Sequence, residues 1–206
     1  MSKQLVIGVT GISRCGKNTF CDLLKAFLNA KGIKTETFSF AQQLRNETSD
    51  FLDENFGFNV WDSKDKEKFR PFLVWYANLK RQESKGQYFI DKLKHTLSLY
   101  KKEQVMLISD LRFKEFDYDE LDFCKENGGV VVHISKYNIE TANIQNDGPY
   151  IKAFDKPPNE FEAKNDPILK AASDYQIIWE DQGGKTENLL SHVTKFVDWL
   201  VEKKYI

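Results

Sequence analysis

The sequence LVIGVTGISRCGKNTF, residues 5–20, joins a short apolar run to a glycine-rich turn and the start of an amphipathic segment. Its central part has the spacing G-x-x-x-x-G-K, which is typical of a phosphate loop between a buried strand and a helix. In such a loop backbone N–H groups point inward, the helix N-terminus adds positive potential, and Lys17 reaches the β- and γ-phosphates. Asn18 stands where serine or threonine usually follows the lysine. The expected nucleotide-binding residues are Gly11, Ser13, Arg14, Cys15, Gly16, Lys17, Asn18 and Thr19.

Short β-prone runs alternate with segments of helical periodicity along the rest of the chain. The further strands are expected at 35–40, 105–109, 130–135 and 175–179, and the helices at 20–28, 42–56, 70–81, 87–100, 116–127 and 189–201. Strands separated by helices predict a parallel sheet with helices on both faces and a ligand at the carboxyl ends of its strands. The expected fold is α/β, a three-layer doubly wound five-stranded parallel sheet. Residues 137–166 have no clear period and contain three prolines, which favours a long irregular segment.

Composition excludes several classes of protein. With 206 residues, 41% of them hydrophobic and 30% charged, the chain falls in the ordinary range of globular domains. Three cysteines without C-x-x-C spacing argue for a reducing compartment and against a zinc site. No apolar run approaches the roughly 20 residues of a membrane span, and the N-terminus does not have the pattern of a signal peptide. We therefore expect a cytoplasmic protein with no membrane partner.

The distribution of charge is uneven. The net charge of −1 argues against a nucleic-acid partner. From Lys64 to Lys102, however, there are eleven basic and four acidic residues. The lysines among them fit either an anion-binding region or a solvated helix face, and the sequence leaves both interpretations open. Arginine favours the first, because a guanidinium group matches the geometry of phosphate oxygens.

A second candidate motif, Ser109-Asp110-Leu111-Arg112, ends the third predicted strand. An aspartate there can hold Mg²⁺ or its waters, and Arg112 can neutralise charge on a transferred phosphoryl group. The alternative is an aspartate that caps a turn and an arginine in a surface pair. No Ser-His-Asp order, H-E-x-x-H motif or histidine cluster is present. Phosphoryl transfer to a phosphate dianion needs no general base, so this absence is compatible with a kinase.

Four segments of the chain together resemble the phage-type deoxynucleoside monophosphate kinases, a branch of the P-loop nucleoside monophosphate kinases. They are GISRCGKNT (11–19), FSFAQQLRNETSDFL (38–52), ISDLRFKEFDYDELDFCKENGGVVVHISK (108–136) and ASDYQIIWEDQGG (172–184). The first and third are distinctive. The others are also similar to segments of related small-molecule kinases, such as the phosphomevalonate and dephospho-coenzyme A kinases.

The resemblance implies a P-loop fold with ATP and Mg²⁺ as cofactors and a deoxynucleoside monophosphate as acceptor. It implies a core of residues 1–41, 103–136 and 167–206, a helical acceptor-binding insert at about 42–102, and a lid or connection at about 137–166. Lys17, Asp110 and Arg112 would be catalytic, with Thr19 and Asp110 near Mg²⁺. The acceptor would be bound by Arg45, Arg70, Arg81 and Arg112.

The resemblance also singles out Lys136. It stands where such kinases have an arginine at the beginning of the lid segment. Lysine keeps the charge but loses the bidentate fork. The chain could form a homodimer. Two alternatives stay open: a kinase of another small phosphorylated metabolite, and a nucleotide-binding regulatory or scaffold protein without kinase activity.

Overall fold

The computed structural model describes residues 4–62, 64–100, 104–141, 150–181 and 187–206. The strands in these ranges are β1 (Leu5–Thr10), β2 (Thr35–Phe38), β3 (Val105–Ile108), β4 (Val130–Thr141), β5 (Tyr150–Phe154) and β6 (Tyr175–Glu180). The helices are α1 (Lys17–Ala30), α2 (Phe40–Phe56), α3 (Lys66–Ser84), α4 (Gln87–Leu99), α5 (Glu120–Glu126), α6 (Glu160–Ala171) and α7 (Glu187–Glu202).

The central sheet contains all five predicted strands, in the order β2-β3-β1-β4-β6, and they are parallel. The central strand β1 is buried along its whole length, and its Ile7 pairs with Leu107 on one side and Val130 on the other. The carboxyl ends of the five strands lie at one edge, where a ligand of such a sheet binds. The predicted doubly wound α/β fold is confirmed.

Two apolar clusters cover the two faces of the sheet. Successive side chains of a strand point to opposite faces, so Ile7 belongs to one cluster and Val6 to the other. The first cluster packs α1 and α7 through Phe20 and Phe196, and the second packs α4 and α5 through residues such as Leu93. These clusters form the three layers that the alternation of strands and helices predicts.

Two helices begin at other residues than the hydrophobic periodicity predicts, because a polar side chain caps their first turn. Helix α2 begins at Phe40, two residues before its first expected residue, because Ser39 is its N-cap and accepts a hydrogen bond from the Gln42 N–H. Helix α5 begins only at Glu120, because Asp119 and Asp122 form a capping box there. Residues 116–118 therefore lie outside the helix that the spacing predicts.

Helices α2, α3 and α4 follow one another along the chain between β2 and β3, and they contain many of the aromatic residues. A small apolar cluster of Leu52, Val60 and Phe69 packs α2 against α3. The sequence leaves open whether Trp61, Trp75 and Tyr76 stack on a base or fill a core. The two tryptophans are more than half exposed and do not fill one, whereas Tyr76 is partly buried and its hydroxyl donates to Glu47.

The segment expected to be irregular, residues 137–166, is largely regular. β4 continues to Thr141, β5 pairs with it antiparallel, and Asn159 caps the first turn of α6. The expectation failed because β5 is only five residues long and because prolines lie next to α6 and within it. Residues 142–149 of this segment lie outside the described residues, as do Lys101 and Lys102. The described helices include none that is long and apolar enough to cross a membrane.

Candidate active site at the carboxyl edge of the sheet

The phosphate loop has the backbone geometry that its glycines allow. Gly11, Arg14 and Gly16 all have positive φ, which non-glycine residues rarely adopt. A Cβ atom at Gly11 would lie 2.3 Å from the backbone oxygen of Ile134, and one at Gly16 would lie 2.8 Å from the ring of Trp179. The loop is therefore packed tightly against Ile134 in β4 and against Trp179 near the end of β6.

The Lys17 side chain lies inside the phosphate loop and hydrogen-bonds to its backbone. Its Nζ donates hydrogen bonds to the carbonyl oxygens of Gly11 (2.7 Å) and Ile12 (2.6 Å), and the side chain is buried. Burial lowers the pKa of the Lys17 ammonium, and the nearby thiol of Cys15 acts in the opposite direction. The ammonium thus lies inside the loop where phosphate oxygens are expected.

Trp179 supports the loop from the last strand of the sheet. Its Nε1 donates a 2.9 Å hydrogen bond to the carbonyl oxygen of Cys15. The Cys15 side chain is fully buried, and this burial raises the pKa of its thiol. Cys15 therefore fits the tight turn as a small apolar side chain rather than as a thiolate.

Asp110 lies at the edge that the sequence predicts, but its carboxylate holds the start of α2. One oxygen accepts the Phe40 N–H, and the other accepts the Ala41 N–H and the Ser39 hydroxyl, all at 2.8 Å. Two of these bonds pair backbone N–H groups that the first turn of a helix leaves without an intrahelical partner. Asp110 thus makes the capping contacts of the alternative interpretation, and its place near Mg²⁺ stays a prediction.

Arg112 faces the phosphate loop. Its Nη1 donates a 2.8 Å hydrogen bond to one carboxylate oxygen of Glu162, and the other oxygen accepts the Ser13 N–H. The Arg112 side chain is one-third exposed, whereas that of Glu162 is only 11% exposed. A carboxylate from α6 thus bridges two groups that the sequence assigns to phosphate binding.

A basic cleft of about 440 Å³ opens beside the loop, lined by Ser13, Arg14, Arg70, Lys136, Asp155, Lys156 and Pro158. It brings together predicted site residues from three distant parts of the chain: Ser13 and Arg14, Arg70, and Lys136. Lys136 is held there by Asp181 at 2.7 Å and Asp155 at 3.4 Å. Its hydrogen bond to Asp181 raises the pKa of the Lys136 ammonium, which keeps the lysine charged.

The other two predicted acceptor-binding arginines lie in different surroundings. Arg81 is buried, forms a 2.9 Å ion pair with Asp119, and stacks 3.6 Å from the centre of the Phe113 ring. Burial raises the pKa of the neighbouring Glu120 to about 8, and Arg81 acts in the opposite direction. Arg81 therefore joins α3 to α5 and does not line the basic cleft. Arg45 lies 5.7 Å from the ring of Trp61, within cation–π range.

The first turn of α1 offers the oxygen ligands for a metal ion. Asn18 is exposed and Thr19 is half-buried, one and two residues after Lys17. In the part of the chain that the structure describes, no group of three or more His, Cys, Asp or Glu side chains could hold a metal ion. This donor set fits Mg²⁺, which usually keeps several waters and takes few protein ligands beside phosphate oxygens.

Comparison of the sequence with known protein families shows which family the chain belongs to. The profile of the phosphomevalonate kinase family matches residues 9–127, more than half of the chain, from the phosphate loop to the end of α5. The chain belongs to the phosphomevalonate kinase family. No curated protein sequence matches the chain.

The chain also aligns with solved structures of kinases at low sequence identity. Shikimate kinase from Acinetobacter baumannii in complex with shikimate aligns with a TM-score of 0.50 at 14% identity, over 98% of this chain and 96% of that one. Dephospho-CoA kinase from Campylobacter jejuni aligns with a TM-score of 0.47 at 16% identity, over the full length of both chains. The first of these likenesses shows a common P-loop kinase fold.

Two residues of this family member's site were missed by sequence reasoning. Trp179 ends a strand that was predicted, so its place at the carboxyl edge was a usable signal. Glu162 lies in a segment that was expected to be irregular. A helical spacing of Glu162, Asn165 and Asp166 places these three polar side chains on one face, and that pattern was the only signal available for α6.

Proposed function

We propose that the protein transfers the γ-phosphoryl group of ATP to a small phosphorylated acceptor. The basic cleft carries this proposal, because it adds Arg70 and Lys156 to the positive end of a phosphate loop, beside a Lys136 that is paired with Asp155 and Asp181. An ATP-binding loop alone does not need this additional charge. An acceptor that itself bears a phosphate group accounts for it, because two anionic ligands must then approach each other.

The roles follow from position. Lys17 and the N–H groups of the phosphate loop bind the β- and γ-phosphates, and Arg112 neutralises charge on the transferred group. Arg70, from α3, contacts the acceptor phosphate. Thr19, with the amide oxygen of Asn18, would hold Mg²⁺, which supplies further neutralisation of phosphate charge when it is bound.

No side chain is required as general base, because an acceptor phosphate dianion is already ionised. The histidine closest to the loop, His133, agrees with this. It is buried in β4, and its Nε2 lies 3.1 Å from a carboxylate oxygen of Asp166. His133 thus holds α6 to the sheet.

A deoxynucleoside monophosphate is our first candidate acceptor. Its support is the resemblance of the GISRCGKNT and ISDLRFKEF segments to the deoxynucleoside monophosphate kinases and the aromatic content of the insert. Trp61 is more than half exposed and is accompanied by the Arg45 guanidinium, a combination that suits stacking on a base.

Phosphomevalonate is the second candidate, favoured by the family match over residues 9–127. It carries a phosphate group like the first candidate but has no aromatic ring to stack. Removal of the Trp61 indole therefore separates the two acceptors. Trp61→Ala should raise KM for a nucleotide acceptor about tenfold, from the usual worth of one base–aromatic stack, and leave KM for phosphomevalonate unchanged.

The test is ADP release coupled to a detectable reaction, with ATP, Mg²⁺ and one acceptor at a time. The panel contains the four deoxynucleoside monophosphates, the four ribonucleoside monophosphates, phosphomevalonate and a control without acceptor. Acceptor-dependent release supports the proposal and names the substrate. ATP binding without release for any acceptor favours a regulatory or scaffold protein and contradicts it.

Lys17→Met is the matching variant. It should abolish turnover and leave the fold intact, because Lys17 contacts only carbonyl oxygens and a thiol of its own loop. Lys34→Met is the control, since Lys34 is exposed at the start of β2. Full activity of Lys17→Met would refute the role of the loop.

A further inference from the structure

The carboxylate of Glu162 contacts the phosphate loop. The two oxygens of Glu162 accept hydrogen bonds from the Ser13 N–H and from Arg112 Nη1. The Glu162 side chain is 11% exposed. Lys17 lies close enough to Glu162 and Arg112 for both side chains to affect the pKa of its ammonium. An oxyanion with two such donors is held in the way that a phosphate oxygen pair is held.

Helix α6 is built to deliver this carboxylate. Asn159 caps its first turn by accepting the Glu162 N–H. On the same face of the helix, Asn165 accepts the Lys114 N–H at 2.9 Å and Asp166 contacts His133 at 3.1 Å. These contacts fix the helix one turn beyond Glu162, so that its position does not depend on the contact with the loop.

A phosphate group in the loop needs the same donors. The single Ser13 N–H cannot bond to the carboxylate and to a phosphate together. The carboxylate also takes one donor of the Arg112 guanidinium, and two anions at one place repel each other. We propose that Glu162 is an intramolecular competitor of the phosphate ligand, which must displace it and thereby takes over Arg112. This inference concerns anion binding at the site of the proposed function and does not require phosphoryl transfer.

The expected weakening of ligand binding follows from the fraction of molecules in which Glu162 is bound to the loop. When only a fraction of the molecules has an open loop, the apparent dissociation constant rises in inverse proportion to that fraction. Two partly exposed hydrogen bonds to a charged group correspond to about a fivefold to thirtyfold weakening of ligand binding. Removal of the charge should recover this factor.

Calorimetric titration with tripolyphosphate and with ATP provides the test. Glu162→Gln should bind each ligand at least about fivefold more tightly than the wild type. Glutamine has the same shape as glutamate but no negative charge. Its NH₂ group cannot accept a hydrogen bond from the Ser13 N–H or from Arg112. Glu162→Asp keeps the charge but is one methylene shorter and cannot bridge both donors, so we expect an intermediate gain.

Glu160→Gln is the matched control. Glu160 lies in the same first turn of α6, is exposed, and carries the same charge. Its removal should leave both dissociation constants unchanged within about twofold, which separates the contact with the loop from the general effect of negative charge. In an Arg112→Gln background the gain from Glu162→Gln should shrink, because the two side chains act on each other.

The outcomes separate this inference from the proposed function. Tighter binding by Glu162→Gln supports the inference whether or not turnover is found. Unchanged or weaker binding overturns it and leaves the kinase proposal standing, since Glu162 would then be neutral or part of the closed complex. Failure of the wild type and of both Glu162 variants to bind either ligand would overturn both proposals.

Discussion

The indole Nε1 of Trp179 donates a 2.9 Å hydrogen bond to the carbonyl oxygen of Cys15, which joins the end of β6 to the phosphate loop. The same ring lies against Gly16, where a Cβ atom would clash with it. The shape of the loop is therefore set partly by a residue more than 160 positions away in the sequence.

Trp179→Phe tests this connection. It keeps an aromatic ring against Gly16 and removes the donor, so the buried Cys15 carbonyl loses its partner. We expect a loss of about 1–2 kcal/mol in the free energy of unfolding and several-fold weaker ATP binding, measured by urea denaturation and calorimetry. Trp75→Phe is the control, since Trp75 is 59% exposed. Equal ATP affinity in wild type and Trp179→Phe would show that the hydrogen bond does not shape the loop.

A pair of glycine variants separates backbone strain from steric fit. Gly16 and Gly32 both have positive φ, but a Cβ atom at Gly32 meets nothing within 4 Å. Gly32→Ala should cost about 1 kcal/mol of stability without any change in ATP affinity. Gly16→Ala should abolish detectable ATP binding, because the methyl group displaces the ring of Trp179 or the loop itself. Comparable ATP affinity in the two variants would contradict the packing argument.

Arg81 is expected to act on stability rather than on the acceptor. Its replacement by methionine leaves Asp119 and Glu120 buried without their cation, which should cost about 3–5 kcal/mol in the free energy of unfolding. Arg45→Met is the comparison, with an expected cost of at most about 1 kcal/mol from the lost contact with Trp61. A raised acceptor KM in Arg81→Met at unchanged stability would return Arg81 to the substrate site.

The thiols should be unreactive in the folded protein. All three cysteines are buried and free, and burial raises the pKa of each thiol, that of Cys124 to about 12. Because the thiolate is the reactive form, the fraction available at pH 8 is far below that of an exposed cysteine. Ellman's reagent should titrate no thiol at pH 8 in native buffer and three in 6 M guanidinium. Rapid reaction of one native thiol would show that the phosphate loop opens to expose Cys15.

The fold was predictable because its signals are local. Strands β1 and β3 are short apolar runs buried along their whole length, and α1 and α7 repeat their apolar residues with helical spacing. The phosphate loop was predictable because glycines, lysine and their spacing determine a single backbone path. Helix α6 was not, since Pro167 lies within it and its buried face is mostly polar.

The chemistry of the edge residues was harder to predict, because it depends on which partner reaches them. The sequence places Asp110 at the end of β3, but only the fold shows that the start of α2 takes up its carboxylate. Arg81 and Arg70 have the same residue type and lie on the same helix, yet one is buried against α5 and the other lines the basic cleft. Periodicity on α3 does not distinguish these two environments.

Because the native thiols are buried, distances within this protein can be measured with labels on introduced cysteines. A cysteine introduced at an exposed position would be the only site open to a maleimide dye or a nitroxide, with no native cysteine removed. Glu160, in the first turn of α6, and Glu54, on α2, are both exposed and suit such labels. Distance measurements between the two labels, with and without nucleotide, can then follow the approach of the insert to the loop in the otherwise unaltered chain.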